Sequence, residues 1–115
     1  MNGLYVFLGG GLGSLARYAL TVGLERAALS FPLATLVANV VASFFIGVLV
    51  GLSLRDTTRL FWATGFCGGF STFSSFSNET LTLFQQGNSY LAFFNILLNV
   101  AICLTAVFFG ILIVK

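Results

Sequence analysis

Between Phe31 and Leu54 the chain reads FPLATLVANVVASFFIGVLVGLSL, 24 residues without a charge. A helix that crosses a bilayer needs about 20 predominantly apolar residues. Three further runs meet that length: Leu4–Leu24 with 21 residues interrupted by Arg17, Leu60–Phe84 with 25 and only Glu79, and Tyr90–Val114 with 25 and no charge. Membrane strands would be about 10 residues long and alternate in polarity; these runs do not alternate. The expectation is an all-α membrane protein, one four-helix transmembrane domain over residues 1–115, with helices at about 4–24, 31–54, 60–84 and 90–114.

Composition agrees. Only 7% of the 115 residues are charged, against about 25% in soluble domains. The first run has no basic residue before it and too long an apolar core for a cleaved signal peptide. There is no histidine, so histidine proton relays and metal sites are excluded. A net charge of +2 does not suggest nucleic-acid binding. Cys67 and Cys103 both fall within predicted helices, where they read as apolar side chains rather than a disulfide pair.

The connections Glu25–Ser30, Arg55–Arg59 and Gln85–Ser89 are short, which makes consecutive helices antiparallel neighbours. Pro32 stands at the start of the second helix, where its missing N–H is harmless. Trp62, Tyr5 and Tyr90 lie near helix ends, where interfacial aromatics are expected. Four helices place both termini on one side, with Arg55, Arg59 and Lys115; Arg26, and Arg17 if counted, fall on the other. A balance of 3 against 2 barely biases insertion. Two readings stand: one orientation with the N-terminus inside, or insertion both ways with head-to-tail pairing. So small a chain leaves little room for a pore, so an ion path is better housed in an oligomer.

The third run carries the densest chemistry: Gly65-Phe66-Cys67-Gly68-Gly69-Phe70-Ser71-Thr72-Phe73-Ser74-Ser75-Phe76-Ser77-Asn78-Glu79. Two glycines followed by hydroxyl residues make a poor helix centre, because glycine weakens the helix and Ser and Thr compete for its backbone hydrogen bonds. A break there would free carbonyl oxygens able to hold a cation, and is tolerated at mid-membrane only inside protein or beside a water-filled cavity. The same glycines read equally as a tight helix crossing, Gly65 and Gly69 forming a small-xxx-small pair. Phe73 and Phe76 share a helix face. Their electropositive ring edges could meet an anion without a competing charge, or the rings could simply pack.

Polar side chains recur at spacing four elsewhere. Asn39 and Ser43 share a face of the second helix; Asn95, Asn99 and Cys103 share a face of the fourth. Amides in lipid must be paired, so these faces point inward, either as interhelical glue or as donors replacing water around a small anion. Arg17 either draws anions into a vestibule or snorkels to the headgroups. Glu79, near the far end of the third helix, caps or pairs there.

Taken together these runs resemble the CrcB/Fluc family of fluoride channels. The resemblance rests on the glycines and Arg17-Tyr18 within Gly10 to Tyr18, on Pro32 to Phe44 with Thr35, Asn39 and Ser43, and on Gly65 to Glu79. Ala34 and Ala42 stand where the family usually has Gly, Ser71 and Ser75 where it has Thr, and Asn95 where it often has Tyr. The resemblance implies a dual-topology antiparallel homodimer with two pores, in the bacterial cell membrane. It implies that the third helix is broken near mid-membrane and meets its partner around a structural Na+ held by the carbonyls of Gly68 and Ser71. The fluoride path would be lined by Asn39, Phe73, Ser74, Ser75, Phe76, Asn95, Asn99 and Cys103, with Arg17 in the vestibule. The implied role is passive fluoride export, which limits toxicity; no pattern for covalent catalysis is present.

Two other classes compete. A small multidrug exporter also uses four helices of this length, but its proton coupling needs a membrane-buried carboxylate, usually in helix 1, and helix 1 has none here. A non-conducting subunit would only bind a partner. Within the channel reading, the chain is a homodimer or one half of a heterodimer.

Overall fold

The computed structural model describes residues 2–25 and 33–114. Phe31, Pro32, Arg26 and Lys115 lie outside the described residues, and with them the first connection and two of the charges counted for orientation. Among the described residues every regular element is helical: α1 (Asn2–Glu25), α2 (Leu33–Leu52), α3 (Asp56–Arg59), a π-helical segment π1 (Leu60–Cys67), α4 (Gly68–Phe70), α5 (Phe73–Gln85) and α6 (Ser89–Val114).

Local chemistry explains where these elements end. The second helix stops at Leu52, two residues short of expectation, because Ser53 adopts the left-handed conformation (φ 53°) that ends a helix. The third helical stretch starts earlier than expected. Asp56 occupies its first turn, where a carboxylate favours the positive helix end, and Arg59 pairs with it at 2.8 Å. Past Gln85, Gly87 takes φ 82°, its N–H donating to Phe84 O and that of Asn88 to Leu83 O. This pair of bonds closes α5 and turns the chain into α6.

The helices associate in two close pairs. α2 runs along α6, and α1 runs along π1 and α4, with α5 laid against α6. Glycine makes both approaches possible. A Cβ on Gly110 would run into the carbonyl of Phe44, and one on Gly65 would lie 3.0 Å from Gly9 Cα. The tight crossing expected of Gly65 and Gly69 is therefore present, against α1. A small core of Ala38, Ala42 and Phe70, flanked by Ala16, Leu20 and Phe66, joins the two pairs. Phe45, Trp62 and Phe66 add edge-on aromatic contacts between α2 and π1.

The outer surface is apolar. α6 exposes Phe93, Phe94, Leu97, Leu104, Phe108 and Ile113, and α1 exposes Phe7, Leu12 and Leu15. Soluble monomers rarely expose apolar patches beyond a few hundred Å², so these faces belong against lipid or protein. α2 and α6 are each long and apolar enough to cross a membrane unaided. The longest dimension, 47 Å, is close to the roughly 40–45 Å of a bilayer with its headgroups. The chain is a membrane protein.

Candidate functional site

The site is built where the third stretch leaves helical geometry. α4 ends at Phe70; Ser71 (φ −87°, ψ 159°) and Thr72 (φ −154°, ψ 125°) are extended, and α5 begins at Phe73. The glycines Gly68 and Gly69 stay helical; it is the hydroxyl pair after them that departs. Each residue of the pair has its own reason. The Ser71 hydroxyl bonds back to Cys67 O at 2.9 Å, ending the first half. Thr72 caps the second half, its hydroxyl accepting from Ser75 N at 3.2 Å.

The last helical bond of the first half runs from Ser71 N to Cys67 O at 3.0 Å, and the carbonyls that follow lose their usual helical donors. Gly69 O takes Arg17 Nε at 3.2 Å, so Arg17 from α1 is tied to the main chain of the break. Thr72 N, which would have served Gly68 O, donates instead to Asn39 Oδ1 at 3.0 Å. Among the described residues no backbone N–H reaches the carbonyls of Gly68 or Ser71. Both residues line an open groove of about 220 Å³ with Ser43 and Cys67, and oxygen ligands of this kind suit a hard cation.

A second groove, of about 260 Å³, shares Ser43 and Ser71 with the first and extends over Asn39, Thr72, Phe73, Phe76, Asn99 and Cys103. Among the described residues, neither groove has an ionised side chain on its wall. Phe73 and Phe76 sit with centroids 5.5 Å apart and planes at 44°; Phe76 is buried while Phe73 projects, 77% exposed. Cys103 is half-buried.

The fold thus brings Asn39, Phe73, Phe76, Asn99 and Cys103 together on one wall. Asn95 lies behind it, fully buried, with Nδ2 donating to Thr80 Oγ1 at 2.8 Å. Ser74 faces Thr72, their hydroxyl oxygens 3.0 Å apart, and Ser75 enters through its capped N–H; neither lines the groove. Two participants were not singled out as path residues from the sequence: Ser43, on both walls, and Thr80, which anchors Asn95. Ser43 was signalled by its spacing from Asn39, whereas Thr80 carries no sequence signal. Glu79 has a buried Oε1 with no hydrogen-bond partner among the described residues.

A fluoride-specific ion channel FluC of Pyrococcus abyssi is 44% identical over 117 residues, covering 97% of this chain and 94% of that protein. The protein of the same name from Elusimicrobium minutum is 50% identical over 105 residues, covering 89% and 84%. One from Shewanella pealeana is 40% identical over 114 residues. Residues 4–111, nearly the whole chain, match the family model described as CrcB-like protein, Camphor Resistance (CrcB), and the chain belongs to that family.

Proposed function

We propose that this chain forms a fluoride-selective passive channel that exports fluoride from the cytoplasm and so lowers its toxicity. It is a conduit and not an enzyme. The observation that carries the reading is the chemistry of the groove over Asn39, Ser43, Phe73 and Phe76, found in a chain 40–50% identical to fluoride-specific channels. Fluoride is small and tightly hydrated, so its path must supply dense donors, yet a fixed full charge beside it would hold it too long to conduct. Amides, hydroxyls and ring edges are partners of moderate strength. The driving force is the membrane potential: an anion leaving a cell gains about 2.3 kcal/mol across 100 mV, negative inside.

The working unit is an antiparallel homodimer in the cell membrane, each chain crossing it four times and inserting in both orientations. Projecting Phe73, the apolar faces and the openness of both grooves in the single chain support this. The interruption at Ser71-Thr72 lies near mid-membrane, and the free carbonyls of Gly68 and Ser71 fit a structural Na+ shared between two copies. Such an ion would neutralise the converging carbonyl dipoles.

The test is a flux assay. Liposomes containing the purified protein and loaded with fluoride should release it when a potassium ionophore balances charge, while chloride-loaded liposomes should hold their contents. Chloride is larger, would force the Phe73 and Phe76 rings apart, and gains less from the donors. Equal passage of both ions would overturn the assignment. A proton-coupled drug exporter would show no fluoride leak at all.

A further inference from the structure

Five hydrogen bonds run head to tail from the break into the interior. Thr72 N–H donates to Asn39 Oδ1 (3.0 Å), Asn39 Nδ2 to Asn99 Oδ1 (3.0 Å), Asn99 Nδ2 to Asn95 Oδ1 (2.9 Å), Asn95 Nδ2 to Thr80 Oγ1 (2.8 Å), and the Thr80 hydroxyl to Phe76 O (2.7 Å). The row crosses three helices, α2, α6 and α5, and every member points the same way.

Its direction is fixed by its ends. A backbone N–H can only donate, so the atom of Asn39 facing Thr72 must be its oxygen. The amide nitrogen of Asn39 then faces α6, which requires the oxygen of Asn99 there, and the assignment propagates to Asn95. At the far end a carbonyl can only accept, so the Thr80 hydroxyl gives its proton to Phe76 O and receives from Asn95. Both ends demand the same polarity, and reversing any one amide would set donor against donor.

Asn99 also donates to the backbone carbonyl of Asn95 at 2.9 Å, so both its N–H protons are spent within the row. Asn95 is sealed from the groove, with 0% exposure. Asn95 gives one N–H to Thr80 and keeps its other inside the protein, so among the described residues the unspent amide proton of the row that can face the groove is the second one on Asn39, which lines the groove beside Phe76. We infer that Asn95 and Thr80 are positioning residues: acting through Asn99, they hold the Asn39 carboxamide with its oxygen on the break and its free N–H toward a passing anion. This rests on the channel reading above, and assigns Asn95 and Thr80 a part in it without contact with the ion.

Three variants test it: Thr80→Val, close to isosteric but without an acceptor for Asn95; Thr80→Ser, which keeps the acceptor; and Asn95→Leu, which removes the middle of the row. Each is purified, checked for its assembly by size exclusion, and read two ways: by fluoride efflux from liposomes and by the 15N resonance of the Asn39 side-chain amide. Loss of one buried hydrogen bond is of the order of a tenfold change in rate. Fluoride efflux should fall about tenfold in Thr80→Val and Asn95→Leu, with the Asn39 resonance displaced in both. Thr80→Ser should stay within about twofold with the resonance in place. Undiminished efflux in Thr80→Val, or efflux that falls while the Asn39 resonance stays put, overturns the inference. Should the parent protein pass no fluoride, the channel reading fails, and the Asn39 resonance alone still decides whether Thr80 and Asn95 orient that amide.

Discussion

Between Asp56 and Gln85 the chain makes a helix that stops, runs extended for two residues and restarts; between Ser89 and Val114 it makes one that never stops. Both stretches contribute to the same groove, by opposite means. α6 keeps its main chain fully engaged and offers side chains, Asn99 and Cys103, from a continuous scaffold. The broken stretch lends that groove Ser71, Thr72, Phe73 and Phe76, and at its interruption it frees main-chain groups from helical bonding: the N–H of Thr72 and the carbonyls of Gly68, Gly69 and Ser71. Two of these take a partner brought from elsewhere, Asn39 from α2 for the Thr72 N–H and Arg17 from α1 for the Gly69 carbonyl. An intact helix can be placed by packing alone, whereas a broken one must be placed by hydrogen bonds from its neighbours.

The contrast predicts where damage should be structural and where it should be functional. The largest effect should come from Gly110→Val on the unbroken side. The new side chain would meet the Phe44 carbonyl and Val48 N with no flexible atom to move. Overpacking a crossing of this kind destabilises by about 3 kcal/mol or more, and folded protein should be lost on size exclusion. A well-folded Gly110→Val protein would show that the α2–α6 crossing is looser than described. Next is Asn39→Val, which strands Thr72 N–H and Asn99 Oδ1 together. With two part-buried groups unpaired, fluoride efflux should fall about a hundredfold. Normal efflux would mean that the break places itself.

Replacing Phe76 by Ile keeps apolar bulk and removes the positive ring edge. Efflux should drop about tenfold with assembly unchanged, as for one lost anion contact of moderate strength; if Phe73→Ile and Phe76→Ile both conduct normally, the rings only pack. The smallest effect should be that of Thr72→Ala, which removes the cap of α5 and lowers thermal stability by about 1 kcal/mol. Thr72→Ser should be neutral, and equal melting of all three would remove the cap from the account.

The apolar runs that became α2 and α6 were legible in the sequence as helices long enough to span, because a bilayer imposes length and polarity so strictly. The uncharged stretch around Asn39 needed no structure to be read as a spanning helix. The position of the break was half legible. Glycines and hydroxyls announced a weak point, but Gly68-Gly69 remain helical, Gly69 packed closely on Gly10 of α1 and Gly68 facing open space, and the departure waits for Ser71, whose hydroxyl can terminate the turn. Asn95 and Asn99 look equivalent at spacing four. Only the placement of α5 shows that one is sealed against Thr80 and the other opens on the groove. Thr80 was invisible, being one hydroxyl among many in a stretch rich in them.

The row of amides has a further property that follows from what its members are. Protons travel along hydrogen-bonded chains when each member can take one, pass another on, and turn over to repeat the act. Water and hydroxyls do this readily. A carboxamide holds its protons on nitrogen and presents oxygen at the other end, and a backbone N–H at the head of the line has none to spare. The line from Thr72 through Asn39, Asn99 and Asn95 is therefore an insulator, able to orient a donor toward a halide while carrying no acid current of its own.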